Sequence, residues 1–87
     1  MSLQQHIDSA YKFGKSVAKA PAAYHDIGMI APEITAAEEE LFPLESMPSQ
    51  ATNWAAFEEW EHRRLNIGYQ IWNAYAVGVQ DGMQENS

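Results

Sequence analysis

One short segment of the chain has side chains at a spacing that could bind a metal. Glu59 and His62 are separated by two residues within the string Phe57-Glu-Glu-Trp-Glu-His62. On a helix this spacing places a carboxylate and an imidazole on one face. Both groups are ligands of divalent transition metals. Glu59 and His62 are therefore candidate metal ligands, and one reading of the chain is a metal-binding helical oligomer.

The same segment resembles the second metal-binding segment of ferritin-like proteins, in which a Glu-x-x-His motif contributes to a carboxylate-bound metal centre. The resemblance covers residues 57–62. Further ligands could come from Glu38, Glu39 or Glu40, or from His25 with Asp26, and the metal-binding reading predicts bound iron, manganese or zinc. The chain departs from that family because no earlier long helix carries a matching ligand segment. The simpler interpretation is a solvated acidic face with His62 in an ion-pair cluster, so we predict no resident cofactor.

Other catalytic constellations are sparse. His25 and Asp26 could orient an imidazole as a general base, but no serine or threonine nucleophile motif and no glycine-rich phosphate loop accompanies them. The chain has no cysteine, which excludes disulfides, thiol nucleophiles and cysteine-bound zinc. We therefore predict that the protein is not an enzyme.

The charge of the chain is concentrated in one central block. The 87 residues carry a net charge of −7, yet residues 20–62 contain no Lys or Arg at all, and both flanks are close to neutral. Such a block is either a solvated face or a surface for a basic partner. Its acidic residues are Asp26, Glu33, Glu38, Glu39, Glu40, Glu45, Glu58, Glu59 and Glu61.

The basic residues are too few for nucleic-acid binding through phosphates. Lys12, Lys15 and Lys19 form a ridge on the first predicted helix, which we expect to pair with the acidic block or with a partner. We predict a protein-binding module, an inhibitor or adaptor, whose acidic face binds a basic protein surface. The residues expected to bind this partner are Glu38, Glu39, Glu40, Glu58, Glu59 and Glu61.

In size and charge, though not in any motif, the chain resembles small acidic proteins of phages and mobile elements, which include inhibitors of host defence. That resemblance implies a host-cytoplasmic inhibitor. The lack of cysteine and of a continuous apolar leader in residues 1–20 also favours a cytoplasmic setting.

Helical signals recur along the chain, and no convincing strand is present. Ser2 and Gln5 have the spacing of a capping box at the start of a helix over residues 3–19. Thr35 and Glu38 form a second candidate capping box. The further helices that we predict cover 33–41 and about 52–82, with a loop over 42–50, fraying over 83–87 and a possible short helix over 22–31.

The first and last helices share a pattern of small residues. The segments Ile7–Gly14 and Ile71–Gly78 have isoleucine, alanine, tyrosine and glycine at identical offsets. A small residue at every fourth position makes a smooth helix face that another backbone can approach closely. We therefore predict close packing of the two helices beside Tyr11 and Tyr75. The small residues are Ala10, Gly14 and Ala18 in one helix, and Ala74, Gly78 and Gly82 in the other.

The last helix also has an uncharged stretch, Leu65–Gln80, which is apolar nearly all round. It contains asparagine and glutamine and falls short of the about 20 apolar residues of a membrane span. A small monomer has little material to bury such a helix, so either the other helices wrap it or it forms an interface with another chain. We expect a homo-oligomer in which Ile71, Trp72, Ala74, Tyr75 and Gly78 contribute to self-association or helix packing. A structural self-assembling helical protein is therefore a further alternative to the binding module. The predicted fold is a single all-α domain over residues 1–87, a small bundle of three to four helices.

Overall fold

The chain folds into three α-helices and one short 3-10 turn in a computed structural model that describes residues 2–19 and 29–85. These residues contain no strand. The predicted all-α bundle is therefore confirmed. The helices are α1 (Leu3–Val17), α2 (Ala31–Leu41) and α3 (Trp54–Glu85), with the 3-10 turn at Leu44–Ser46 between α2 and α3.

The start of α1 is fixed by the predicted capping box. The Ser2 hydroxyl accepts a hydrogen bond from the Gln5 amide at 3.2 Å. In return, the Ser2 amide donates to Gln5 Oε1 at 2.7 Å. Each side chain thus satisfies a backbone N–H that has no partner inside the helix. α1 ends at Val17, two residues before the predicted end.

The start of α2 differs from the sequence-based prediction. The helix begins at Ala31 with Pro32 in its first turn, and Ile30 caps it without a side-chain hydrogen bond. The predicted capping box of Thr35 and Glu38 is therefore wrong, because both residues lie inside the helix. Burial of Ile30 in the core fixes the start of α2, and proline is tolerated there because a first-turn N–H has no helical partner. The short helix predicted over 22–31 lies largely outside the described residues.

α3 spans almost the whole length of the molecule. Its 32 residues correspond to about 48 Å of helix, in a molecule of 54 × 23 × 16 Å. Asn53 Oδ1 accepts a hydrogen bond from the Ala56 amide at 3.3 Å, which makes Asn53 the capping residue. The helix continues past Gly82 to Glu85.

α1 and α3 run parallel to each other. The start of α1, at Leu3, lies beside Ile67 of α3, and the residue that follows α1, Ala18, lies against Gly82. The first turns of α3 therefore extend beyond α1. They pack instead on the connection that follows α2, where the Trp60 indole donates to the Ser46 hydroxyl at 3.0 Å.

α2 runs antiparallel to both other helices. Its beginning lies beside Phe13 of α1, and its end lies beside Leu3. This return path brings the chain back to the end of the molecule where α1 begins, so that α3 can start there and run parallel to α1. The three helices bury a common core of Ala10, Val17, Ile30, Ala37, Ile67, Ile71 and Tyr75.

Candidate functional site

The contact between α1 and α3 is a direct approach of two backbones. A β-carbon added at Gly14 would overlap the carbonyl oxygen of Tyr75, and one added at Gly78 would overlap the carbonyl oxygen of Tyr11. The relationship is reciprocal, because the two Tyr–Gly pairs occupy equivalent places in the repeated segments. Close packing of the first and last helices through their small residues is therefore confirmed.

The residues predicted for helix packing or self-association fall into two groups. Most of them are buried between the helices. Trp72 differs, because it is 39% exposed and lies on the side of α3 that faces α2. Tyr75 is buried and stacks on Phe13 with ring centroids 5.8 Å apart. The buried members are Ala10, Gly14, Ala18, Ile71, Tyr75 and Gly78, and Ala74 is half-buried.

Two polar contacts fasten the far end of this helix pair. The Tyr11 hydroxyl donates to Asp81 Oδ2 at 2.6 Å. Lys15 Nζ lies 2.7 Å from Glu85 Oε1, so this lysine of the basic ridge pairs with the end of α3 and not with the central acidic block. The hydrogen bond to Asp81 raises the pKa of Tyr11, and the hydrogen bond and charge of Glu85 raise the pKa of Lys15.

His6 is the polar residue that sequence reasoning left without a role. It is 2% exposed, with Nδ1 2.9 Å from Glu33 Oε1 and Nε2 3.0 Å from Glu40 Oε2. A neutral imidazole donates through one nitrogen only, so full satisfaction of both contacts requires an imidazolium or a protonated carboxyl. The spacing of His6 from Leu3 and Ala10 was the available signal, because it places the ring on the buried face of α1.

The three consecutive glutamates of α2 do not form one acidic surface. Successive residues of a helix point about 100° apart. Glu38 Oε2 lies 3.4 Å from Arg64 Nη1 on α3, and Glu40 bonds to His6 on α1. Only Glu39 points away from both neighbours into solvent. Two of the predicted partner-binding residues thus serve the fold.

The glutamates of α3 are all exposed, but they also differ in their contacts. Glu59 Oε1 pairs with Arg63 Nη2 at 2.6 Å, as an i, i+4 pair on the helix surface. Glu58 and Glu61 face solvent and make no ion pair with any described residue. Their spacing of three places these two carboxylates side by side on one face of α3.

The candidate metal ligands are not assembled into a site. Glu59 is engaged by Arg63, and His62 is exposed on the surface of α3. Across residues 2–19 and 29–85, no group of three or more histidine, aspartate or glutamate side chains could hold a metal ion. His25 and Asp26, the further ligands and the candidate base, lie outside the described residues.

Arg64 holds the first half of α3 against the end of α2. Its Nε donates to the carbonyl oxygen of Phe42 at 3.2 Å, and its guanidinium lies 5.6 Å from the ring centroid of Trp60. An aromatic row continues from there to the first turn of α3, where Trp54 is exposed. The Arg64 guanidinium is therefore engaged by contacts within the protein.

An apolar groove runs between α2 and α3. Its volume is about 350 Å³. Ile34 forms one wall, and Leu65 and Tyr69 of α3 are 50% and 62% exposed along the other. Gly68 lies between them and brings α3 close to Ile34 and Glu38. Trp72 closes one end. This groove exposes apolar surface within the uncharged stretch of α3.

Comparisons with protein families, curated proteins and solved structures return no match for this chain. No helix in the described part of the chain is long and apolar enough to cross a lipid bilayer. Residues 2–19 and 29–85 form three α-helices and define an all-α fold.

Proposed function

We propose that this protein is a small acidic binding module whose partner is a protein with a basic surface. The observation that carries the proposal is a group of unpaired carboxylates at one end of the molecule. Glu39, Glu45, Glu58 and Glu61 are exposed and make no ion pair with a described residue. All four lie in the end of α2, the 3-10 turn and the first turns of α3, which pack together.

The neighbouring cations do not cancel this charge. Arg63 forms an ion pair with Glu59, and Arg64 forms one with Glu38. The lysines lie towards the other end of the elongated molecule, with Lys12 and Lys15 on the second half of α1 and Lys19 just after its end. A concentrated negative charge of this kind accelerates and orients the approach of a basic surface. The acidic end is therefore the binding end in this proposal.

The test is affinity capture from a lysate with a matched pair of charge variants. Glu39→Lys/Glu58→Lys/Glu61→Lys reverses the acidic end without touching a pair that the fold uses. Lys12→Glu/Lys19→Glu reverses charge elsewhere on the surface. We expect the wild-type protein and Lys12→Glu/Lys19→Glu to capture the same basic protein. The variant in which the three glutamates are replaced by lysine should lose it. Capture that is unchanged in Glu39→Lys/Glu58→Lys/Glu61→Lys contradicts the proposal.

The binding module acts either as an inhibitor, by covering one partner surface, or as an adaptor, by linking two. Which of these applies follows from a competition assay, in which an inhibitor blocks the partner's own ligand and an adaptor does not. A phage or mobile-element origin would fit the inhibitor role.

Self-association is the second candidate, and the exposed apolar residues of α3 favour it. Leu65, Tyr69 and Val77 are each about half exposed, and aromatic and apolar side chains are enriched at protein interfaces. Sedimentation velocity over a range of concentrations tests this candidate. A monomer at all concentrations would remove it and leave the heterotypic partner.

A further inference from the structure

We propose that the groove between α2 and α3 binds an amphipathic helix of the partner, with lysine or arginine concentrated at one end of that helix. The inference rests on the proposed function, because it supplies the structural form of the basic partner. Recognition of an apolar helix face by a groove of this kind is a common mode of peptide binding. Three features of the surface lead to it.

The first feature is a continuous exposed seam along α3. Trp54, Glu58, Glu61 and Leu65 follow one another at intervals of four, three and four residues, so they lie on one face of the helix. Tyr69 continues the same face, and Trp72 follows it. Such alternating spacing is the pattern with which one helix packs along another.

The second feature is the groove beside this seam. Gly68 has no side chain, so Ile34 and Glu38 come close to the α3 backbone there, and Ile34 lines the groove with apolar surface. Glu38, the charged residue of that wall, is paired with Arg64. The groove beside Leu65 and Tyr69 therefore presents apolar surface and no free charge, which suits the apolar face of an incoming helix.

The third feature is the charge at one end of the seam. Glu58 and Glu61 lie between Trp54 and Leu65 and make no ion pair with any described residue. A helix that lies along the seam covers these two carboxylates and must supply cations to them, because covering an unpaired charge is costly. The basic residues of the partner therefore belong at the end that faces Glu58 and Glu61, and its apolar residues at the end that faces Tyr69 and Trp72.

A second copy of the chain is the alternative occupant, and the charges argue against it. The seam contains no lysine or arginine. If two copies packed in parallel, each glutamate would face its counterpart. If they packed antiparallel, Glu58 and Glu61 would face the uncharged stretch Leu65–Gln80 of α3. Neither arrangement provides a cation, so a heterotypic basic helix is the better match.

The experiment uses the full chain and a displayed library of helical peptides. Every peptide has the same apolar face, and each flanking position carries either Lys or Glu at random. The selected peptides are then measured by fluorescence anisotropy against the wild-type protein and three variants. Leu65→Ser/Tyr69→Ala removes the apolar half of the seam, Glu58→Lys/Glu61→Lys reverses its acidic half, and Val77→Ser changes an equally exposed apolar residue on another face of α3.

We expect the selected peptides to be enriched in Lys at one end only. Each of the two seam variants should weaken binding by about tenfold or more, as truncation at the centre of an interface does, while Val77→Ser should bind as wild type does. Circular dichroism of each variant verifies that the fold is intact.

Four results would overturn the inference. They are an even mixture of Lys and Glu in the selected peptides, binding that Leu65→Ser/Tyr69→Ala leaves unchanged, binding that Glu58→Lys/Glu61→Lys leaves unchanged, and a dimer that Leu65→Ser/Tyr69→Ala dissociates. If binding survives the apolar variant but not the charge reversal, the proposed acidic module stands and only the groove assignment fails. If binding survives the charge reversal, the proposed function fails as well.

Discussion

Gly14 of α1 lies against the carbonyl oxygen of Tyr75 of α3 with no room for a β-carbon between them. The mirrored relationship holds between Gly78 and Tyr11. The two glycines thus let parallel helices approach backbone to backbone, and the approach buries Tyr75. The pair leaves another side of α3 available for the seam and groove described above.

Gly14→Ala should destabilise the protein although alanine favours helices. The added β-carbon meets backbone atoms, which cannot move aside as a side chain can, so we expect a loss of about 2 kcal/mol in the free energy of unfolding. Gly68→Ala is the matched control, since its β-carbon would meet the ends of the Glu38 and Ile34 side chains at 3.1 and 3.2 Å. Chemical denaturation measures both. Equal stability of the two variants would contradict the backbone contact.

His6→Ala should cost about 2 to 3 kcal/mol, because it leaves a cavity and removes the shared partner of two carboxylates. His62→Ala is the control, since His62 is exposed on α3, and we expect a change within about 0.5 kcal/mol. Thermal unfolding by circular dichroism compares the two histidines directly. A His6 variant as stable as the His62 variant would show that the Glu33 and Glu40 contacts contribute little.

The Tyr11–Asp81 contact should weaken at alkaline pH. The hydrogen bond to Asp81 raises the pKa of Tyr11 above its ordinary value of 10.0. Since the pKa in the folded protein is the higher one, the stabilisation is complete below the unfolded pKa and is lost as pH rises through the folded pKa. Glu85 raises the pKa of Lys15 above 10.5, so the stabilisation from this ion pair is also lost as pH rises.

Tyr11→Phe isolates the tyrosine part of this effect. Ultraviolet titration of tyrosinate should lose a component that ionises above the ordinary tyrosine pKa in this variant, and stability should fall less steeply above pH 10 than in the wild type. Tyr69→Phe, at an exposed site, serves as the control. If Tyr11→Phe leaves the titration curve unchanged apart from its amplitude, the Asp81 hydrogen bond does not shift this group.

Two adjacent glutamates should respond differently to charge reversal. Glu38→Lys places a cation beside Arg64, and we expect a loss of about 1 to 2 kcal/mol in stability. Glu39→Lys alters only a solvent-facing position, and we expect a change within about 0.5 kcal/mol. Urea denaturation measures both. The reverse order of stability would mean that the Arg64 contact does not hold α2 against α3.

The helices were largely predictable because their signals are local. The capping box of Ser2 and Gln5, the prolines around α2 and the small residues of α1 and α3 each act within a few positions of the chain. The start of α2 was missed since it depends on the burial of Ile30, a contact with residues distant in sequence. The spacing of Thr35 and Glu38 met the capping rule, but both residues follow Pro32, which lies in the first turn of the helix.

The candidate site was less predictable for the same reason. The sequence presents Glu38, Glu39 and Glu40 as one acidic run, and the fold sends two of them to Arg64 and His6. It presents the uncharged part of α3 as one apolar helix, and the fold divides that helix between the α1 contact and the groove beside α2. Only the positions of the neighbouring helices separate these roles.

By itself, the sequence determined an all-α protein, the close approach of its first and last helices, and an acidic central region, because residue size, helix periodicity and charge are properties of the chain. The tertiary structure decided which carboxylates are neutralised and which remain free, and which apolar residues are buried. The physical reason is that pairing and burial depend on which helix faces overlap, and that overlap is set by contacts between residues far apart in sequence.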